Sequence, residues 1–410
     1  MHERLAIEGG TPVRTRPFPR RTPFSEREVE LVSEAIRSQT LFGPSGTFVA
    51  AFQERFAQRY GVKHAVASTS GTAAIHVAVG TINPEPGDEI ITAPITDLGT
   101  IVPILYQNAI PIFADVDCTY TMDPADVEAK ITSRTKAIIA VHLFGNPCDM
   151  EALTAIARKH HLTLIEDCSQ AHLTTYHSQL CGTFGDIGAF SLQQSKHLTT
   201  GDGGITITDN DALWERMRFF VDKGWARRDW GPRSYLFLAP NYRMTELQGA
   251  VGVAQMEKVQ AVVDRRHHLG ELLTGLLREQ EGIVPAPVTP GGRHTYWLYP
   301  LRVEGAPAIR FAEALAAEGV PASAGYIQKP IYTCAEALAN KVTFGTSHVP
   351  FISAFTDHQI DYGPGLCPRA EEALAHMVTI PINENYTDTD VEDIAHAVRK
   401  VADSLRKVVH

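Results

Sequence analysis

Between residues 64 and 167 the chain alternates short apolar runs with stretches of helical period, and this alternation limits the folds open to it. "HAVAST" (64–69), "DEIITAP" (88–94), "IPIFADV" (110–116), "KAIIAVHLFG" (136–145) and "LTLIEDCSQ" (162–170) read as strands. "GTAAIHVAVGTI" (71–82), "IVPILYQNA" (101–109) and "MEALTAIARKHH" (150–161) read as helices between them. Strand and helix in alternation predict an α/β fold whose mostly parallel sheet is covered on both faces. "GAFSLQ" (188–193) and "GGITITD" (203–209) are further strand candidates, and a polar helical pattern runs from near Met244 to about Glu279.

After that helix the pattern changes. "TYWLYPLRV" (295–303), a helix near 308–318 and "VEDIAHAVRKVADSLRKV" (391–408) predict a smaller C-terminal α/β domain. A chain of 410 residues exceeds what one compact core usually holds. The expected division is a large domain over 1–255, including an N-terminal arm, and a small one over 256–410. The stretch 339–367 has no clear period and is expected to be a long surface loop.

Composition excludes several classes of function. The formal net charge is −10, with no basic block, so neither nucleic acid nor an anionic membrane is an expected partner. No stretch approaches 18 consecutive apolar residues, and the opening "MHERLAIEGGTPVRTRPFPRR" lacks the apolar core of an export signal. Cys118, Cys148, Cys168, Cys181, Cys334 and Cys367 show neither a C-x-x-C pair nor zinc-like spacing. They read as reduced thiols in a cytoplasmic protein, with no metal expected.

Three features could carry chemistry. Lys196 sits in "QQSKHLTTGDGG" (193–204), a polar turn rich in threonine and glycine, although most lysines are simply solvated charges. Glu166 and Asp167 close the apolar strand in "LIEDCSQAH", either capping the next turn or facing a ligand at the carboxyl end of the sheet. Ser70, Gly71 and Thr72 of "STSGTAAIH" open a helix, whose free N–H groups and hydroxyls suit an anion such as phosphate. Together the three match the needs of pyridoxal 5′-phosphate: an amine, a carboxylate for its ring nitrogen and donors for its phosphate.

In the order "GGTPVR", "SGTAAIH", "VHLFGNPCDM", "IEDCSQAH", "GTFGDIGAFS", "SKHLTTGDGG", "NYRMTELQGAVG", the chain resembles the sugar aminotransferase family named after DegT, DnrJ, EryC and StrS. The resemblance implies the aspartate-aminotransferase-like fold type I. It makes Lys196 the residue joined to the cofactor and Asp167 the partner of the ring nitrogen. It places Gln170 near the ring oxygen and Gly71, Thr72 and Ser191 at the phosphate. Asn241 of "NYRM" would reach the phosphate of a neighbouring subunit, which implies a homodimer with shared active sites. His197 is expected to pack in the turn.

Two stretches depart from the family. Where relatives carry an aromatic ring that stacks on the cofactor, "PITDLGT" puts Leu98, with Asp97 in a threonine position and open to a substrate hydroxyl or amine. In place of a histidine-tyrosine-proline signature stands "AGYIQKPIY" (324–332), and Tyr326, Lys329, Arg227 and Arg228 are candidates for the donor carboxylate or the acceptor. His294 and Tyr296 fall where relatives have residues near the acceptor. The implied activity is transfer of an amino group from glutamate or glutamine to a keto-sugar, a nucleotide-linked sugar or a keto-cyclitol, in secondary-metabolite or aminoglycoside-type biosynthesis. A lyase or dehydratase reaction on the same cofactor is the alternative. The retained Lys196 argues against the dehydratase branch, which carries histidine there, and Lys196 with Asp167 argues against a non-enzymatic regulator.

Overall fold

The computed structural model describes residues 4–227, 233–354, 356 and 360–405. In chain order its first nine strands are β1 (His64–Ser68), β2 (Glu89–Thr92), β3 (Ile110–Phe113), β4 (Thr135–Val141), β5 (Thr163–Asp167), the two-residue pieces β6 (Thr175–Tyr176) and β7 (Gln179–Leu180), β8 (Ile187–Ser191) and β9 (Gly204–Thr208). Seven of them form one sheet in the order β1-β9-β8-β5-β4-β2-β3. The pairs from β3 through β8 are parallel, and β9 alone runs antiparallel to its neighbours β8 and β1. The expected α/β class, with a mostly parallel sheet and a smaller α/β part after it, is borne out.

This topology gathers the chemistry. All strands but β9 point one way, so the carboxyl ends of β1, β2, β4, β5 and β8 lie along one edge of the sheet. An antiparallel return needs no helical crossover, so β8 reaches β9 through the short connection 192–203, which carries Lys196. The helix Gly71–Ile82 starts at the same edge and is buried from Ala73 to Thr81. Its Ala-rich, apolar surface suits a helix covered on every side.

A second, four-stranded antiparallel sheet joins Ile283–Val284, Leu298–Val303, Met377–Pro381 and Ser323–Ala324. Its core takes Leu269, Leu273, Phe311 and Val398 from the covering helices, and also Leu5 from the chain's start. The N–H groups of Ala6 and Val13 donate to the buried Glu318 at 2.8 and 3.0 Å. Lys400 completes that carboxylate's partners at 2.8 Å. Arg14 pairs with Asp390 and Asp393 at 2.7 and 2.6 Å. The N-terminal arm is therefore fastened to the C-terminal core.

Two sequence expectations need correction. The single helix over 244–279 is two, Glu246–Met256 and Val259–Leu277. Lys258 leaves helical geometry between them (φ −122°, ψ −6°), its ammonium held by Glu28 at 2.6 Å and the Pro23 carbonyl at 2.5 Å. The segment 340–367 holds no helix or strand among its described residues, but it is not all surface. Phe351, Tyr362 and Cys367 are buried with Phe113 and Tyr332 in a third cluster, and the Tyr362 hydroxyl donates to the Pro111 carbonyl at 2.8 Å.

Candidate active site

A cavity of about 430 Å³ opens at the carboxyl edge of the large sheet, and Gly71, Thr72, Asp167, Gln170, Ser191 and Lys196 all line it. Residues far apart in sequence thus meet in one place. The Lys196 turn is held from three sides: Arg21 donates to the carbonyls of Gln194 and His197 at 2.7 and 3.1 Å, and the Trp297 indole N–H donates to the Ser195 carbonyl at 3.1 Å. The Lys196 ammonium lies 3.7 Å from the centre of the Trp297 ring, a cation–π seat. Burial lowers its pKa to about 8, against the opposing pull of Asp167 and Asp97.

Strand alternation separates the two acids that the sequence left together. Asp167 faces the cavity and is 4% exposed; Thr100 donates to its Oδ2 at 2.8 Å and the Ser169 N–H to its Oδ1 at 3.0 Å. Glu166 points to the opposite face, where the N–H groups of Gly182, Phe184 and Gly185 donate to it at 2.6–2.8 Å and His142 Nε2 lies 3.0 Å away. His142, Glu166 and Cys168 are close enough to suggest a metal site. The Glu166 oxygens are already committed to these four donors, however, and His142 Nδ1 accepts the Cys148 N–H at 3.0 Å. Glu166 is therefore a structural carboxylate that folds 182–185 under β5. Glu166→Gln is expected to lower unfolding free energy by about 3 kcal/mol in denaturant titration, because an amide cannot accept from all four.

At the other end of the cavity the helix Gly71–Ile82 presents its N-terminus. The Ser70 hydroxyl accepts the Ala73 N–H at 3.0 Å, while helix geometry leaves the N–H groups of Gly71 and Thr72 without acceptors within the helix. A Cβ at Gly71 would come within 2.8 Å of the Ser191 hydroxyl, so only glycine keeps this end open. The positive end of the helix dipole and the Thr72 and Ser191 hydroxyls converge where an anion would sit.

The remaining sequence candidates divide. Gln170 lines the cavity with its amide engaged, accepting the Phe144 N–H at 2.7 Å and donating to the Tyr326 hydroxyl at 3.0 Å. Tyr326 and Asp97 also line it; Asp97 caps the helix Leu98–Tyr106 by accepting the Gly99 N–H at 2.7 Å. Leu98, the first residue of that helix, is 36% exposed and is not among the lining residues, whereas Asp97 and Gly99 on either side are. Asn241 is exposed outside this cavity, and its side chain accepts the Arg243 N–H at 3.4 Å. Lys329 is exposed, Arg227 is spent on Asp222, and Arg228 lies outside the described residues.

His294 and Tyr296 are not at the site. They stack on each other at 3.9 Å in the second core, and Tyr296 is fully buried with its hydroxyl on Glu271 at 2.6 Å. His197 packs as expected, its Nε2 donating to the Thr295 carbonyl at 2.8 Å, and burial holds its pKa well below the usual histidine range. Sequence reasoning missed Trp297, Thr96 and Thr100, which all line the cavity. Trp297 follows a residue with φ of +48°, Tyr296, a kink that a strand pattern over 295–303 does not show.

Comparison with known proteins identifies the architecture and the family. The architecture is that of fold type I aminotransferases: the aminotransferase from Psychrobacter cryohalolentis superposes with a TM-score of 0.83 at 27% identity, covering 96% of this chain and 100% of that one. The model of the DegT/DnrJ/EryC1/StrS aminotransferase family matches residues 24–399, and the chain belongs to that family. It is 35% identical over 422 residues to an L-glutamine:2-deoxy-scyllo-inosose aminotransferase of Streptoalloteichus tenebrarius, with 97% of each chain covered. It is 32% identical over 390 residues to the spore coat polysaccharide biosynthesis protein SpsC of Bacillus subtilis, covering 92% of this chain and 95% of that one.

Proposed function

We propose that this aminotransferase binds pyridoxal 5′-phosphate in the 430 Å³ cavity and moves an amino group from L-glutamine or L-glutamate to the keto group of a cyclitol or sugar. The convergence of Lys196, Asp167 and the Gly71–Thr72 helix start on one cavity carries the reading. The donor set fits the group: an amine tuned to neutrality near pH 8, a buried carboxylate, and a helix N-terminus cleared by Gly71. The family's relatives add the substrate class, since one of them is named for glutamine and an inosose.

Bound pyridoxal phosphate supplies an electron sink for the pair released at the donor's α-carbon. Lys196 provides the amine that anchors the cofactor. When free and neutral, its Nζ would be the base placed to accept the donor's α-proton and, once protonated, the acid that gives a proton back. Asp167, held by Thr100 and Ser169, is the buried carboxylate that would balance a protonated ring nitrogen. The Gly71 and Thr72 N–H groups with the Ser191 hydroxyl would hold the phosphate of such a cofactor. The same residues would serve the keto acceptor in the return half-reaction.

The exposed Asn241 supports a homodimer in which each subunit completes its neighbour's phosphate site, and Asp97 at the cavity supports contact with an acceptor hydroxyl or amine. The division proposed at 255 falls just before the helix Val259–Leu277, whose Val259 and Val263 still pack in the first core while Leu269, Leu273 and Leu277 pack in the second, with Leu5 of the arm. Absorbance of the reconstituted protein tests the reading. Addition of glutamine or glutamate is expected to bleach the cofactor's visible band and accumulate pyridoxamine phosphate, and a keto-inosose to restore the band. A lyase would turn over without that accumulation.

A further inference from the structure

The carboxylate that faces the cofactor's place does not stand alone. Thr100 donates to Asp167 Oδ2 at 2.8 Å, and the Thr96 and Thr100 hydroxyls lie 2.7 Å apart. A threonine hydroxyl has one proton. Because Thr100 gives its proton to Asp167, Thr96 must be the donor to Thr100, which sets one direction along the chain: Thr96 to Thr100 to Asp167. All three are nearly inaccessible, at 1%, 2% and 4% exposure. Thr96 sits in the loop after β2, and Thr100 one turn along, on the cavity side of the helix Leu98–Tyr106.

We infer that Thr100, backed by Thr96, is a positioning residue for the reaction: the two hydroxyls form a directed relay that fixes Asp167 as an oriented anion for the ring nitrogen. Hydroxyl chains polarise one another in a low-dielectric site, so the second bond strengthens the first. The relay holds Oδ2 while the Ser169 N–H holds Oδ1, and the carboxylate cannot rotate without breaking one of them. It also sharpens the unusual stretch "PITDLGT". That segment does not bring Leu98 into the cavity; it brings two hydroxyls to Asp167. The relay supplies from below the ring nitrogen the order that an aromatic ring would supply from its face.

The inference rests on pyridoxal phosphate binding and can fail separately from it. Full-length wild-type, Thr100→Val, Thr100→Ser and Thr96→Val proteins, stripped of cofactor, would be titrated with pyridoxal phosphate by tryptophan fluorescence. The pH midpoint of the bound cofactor's visible band would then be measured for each. Thr100→Val is expected to weaken binding about 10-fold, the loss of one hydrogen bond to a charged group, and to move the midpoint upward. Thr100→Ser is expected to restore both to within about 2-fold of wild type, and Thr96→Val to give a weakening of about 3-fold. A folded Thr100→Val with wild-type affinity and midpoint would overturn the relay. If Thr100→Val does not fold, Thr96→Val decides: unchanged affinity and midpoint overturn it. Wild-type protein that binds no pyridoxal phosphate would instead overturn the cofactor reading itself.

Discussion

Lys196→Met is expected to abolish amino transfer, by at least about 10,000-fold, while making the cofactor-free protein more stable. The activity loss follows from removing both the anchoring amine and, among the described residues lining the cavity, the one lysine that can move the α-proton. The stability gain follows from its charge. The ordinary lysine value of 10.5 falls to about 8 in the folded chain. Below pH 8 the lysine is protonated in both states, and burying that charge opposes folding by at most about 3 kcal/mol. Between pH 8 and 10.5 the unfolded chain holds more protons, so wild-type stability rises with pH and the penalty disappears. Denaturant unfolding of the two cofactor-free proteins should therefore differ at pH 7 and converge near pH 10.5. A variant no more stable than wild type at pH 7 would show that Trp297 and the nearby acids already offset the burial.

Asp167→Asn is expected to lower the rate of the donor half-reaction about 1,000-fold with the cofactor still bound. An asparagine fits the same space and can still accept from Thr100, but it cannot balance a positive ring nitrogen. The rate constant should fall with little change in donor KM, because the lost interaction is strongest in the transition state. Single-turnover bleaching with glutamine measures both. Wild-type kinetics would remove Asp167 from the mechanism.

Much of this was readable from residue types and spacing. The helix at 71–82 and the strands around it have a clear period; Lys196, the acids at 166–167 and the 70–72 turn together suggest a cofactor, and the resemblance to the family supplies the individual roles and Ser191. The strand pattern alone does not say which of Glu166 and Asp167 faces the site, because alternation says only that the two differ and β5 is buried on both faces; the family resemblance picks Asp167. Long-range packing hid the rest. Phe351 and Tyr362 are apolar anchors in an aperiodic stretch, and their pocket is built by Phe113 and Tyr332, far away in sequence. Trp297 reaches the cavity because Tyr296 turns at positive φ, and no residue type announces that turn. Thr96 and Thr100 belong to a segment whose departure from the family was plain but whose purpose needed Asp167 beside it.

The fastening of the N-terminal arm also sets an order of assembly. Arg21, made early, holds the Lys196 turn and itself pairs with Glu384 at 2.7 Å, while Arg14 waits for Asp390 and Asp393. Each of these acids follows its arginine by 363 residues or more. During synthesis the large sheet can form and Trp297 can reach the Ser195 carbonyl, but Arg21, at the Gln194 and His197 carbonyls, lacks its anchor until Glu384 has been made. The clamp on the Lys196 turn is thus complete only once residue 384 is in place, and a polypeptide stopped short of it would carry Lys196, Asp167 and the 70–72 turn without that anchor.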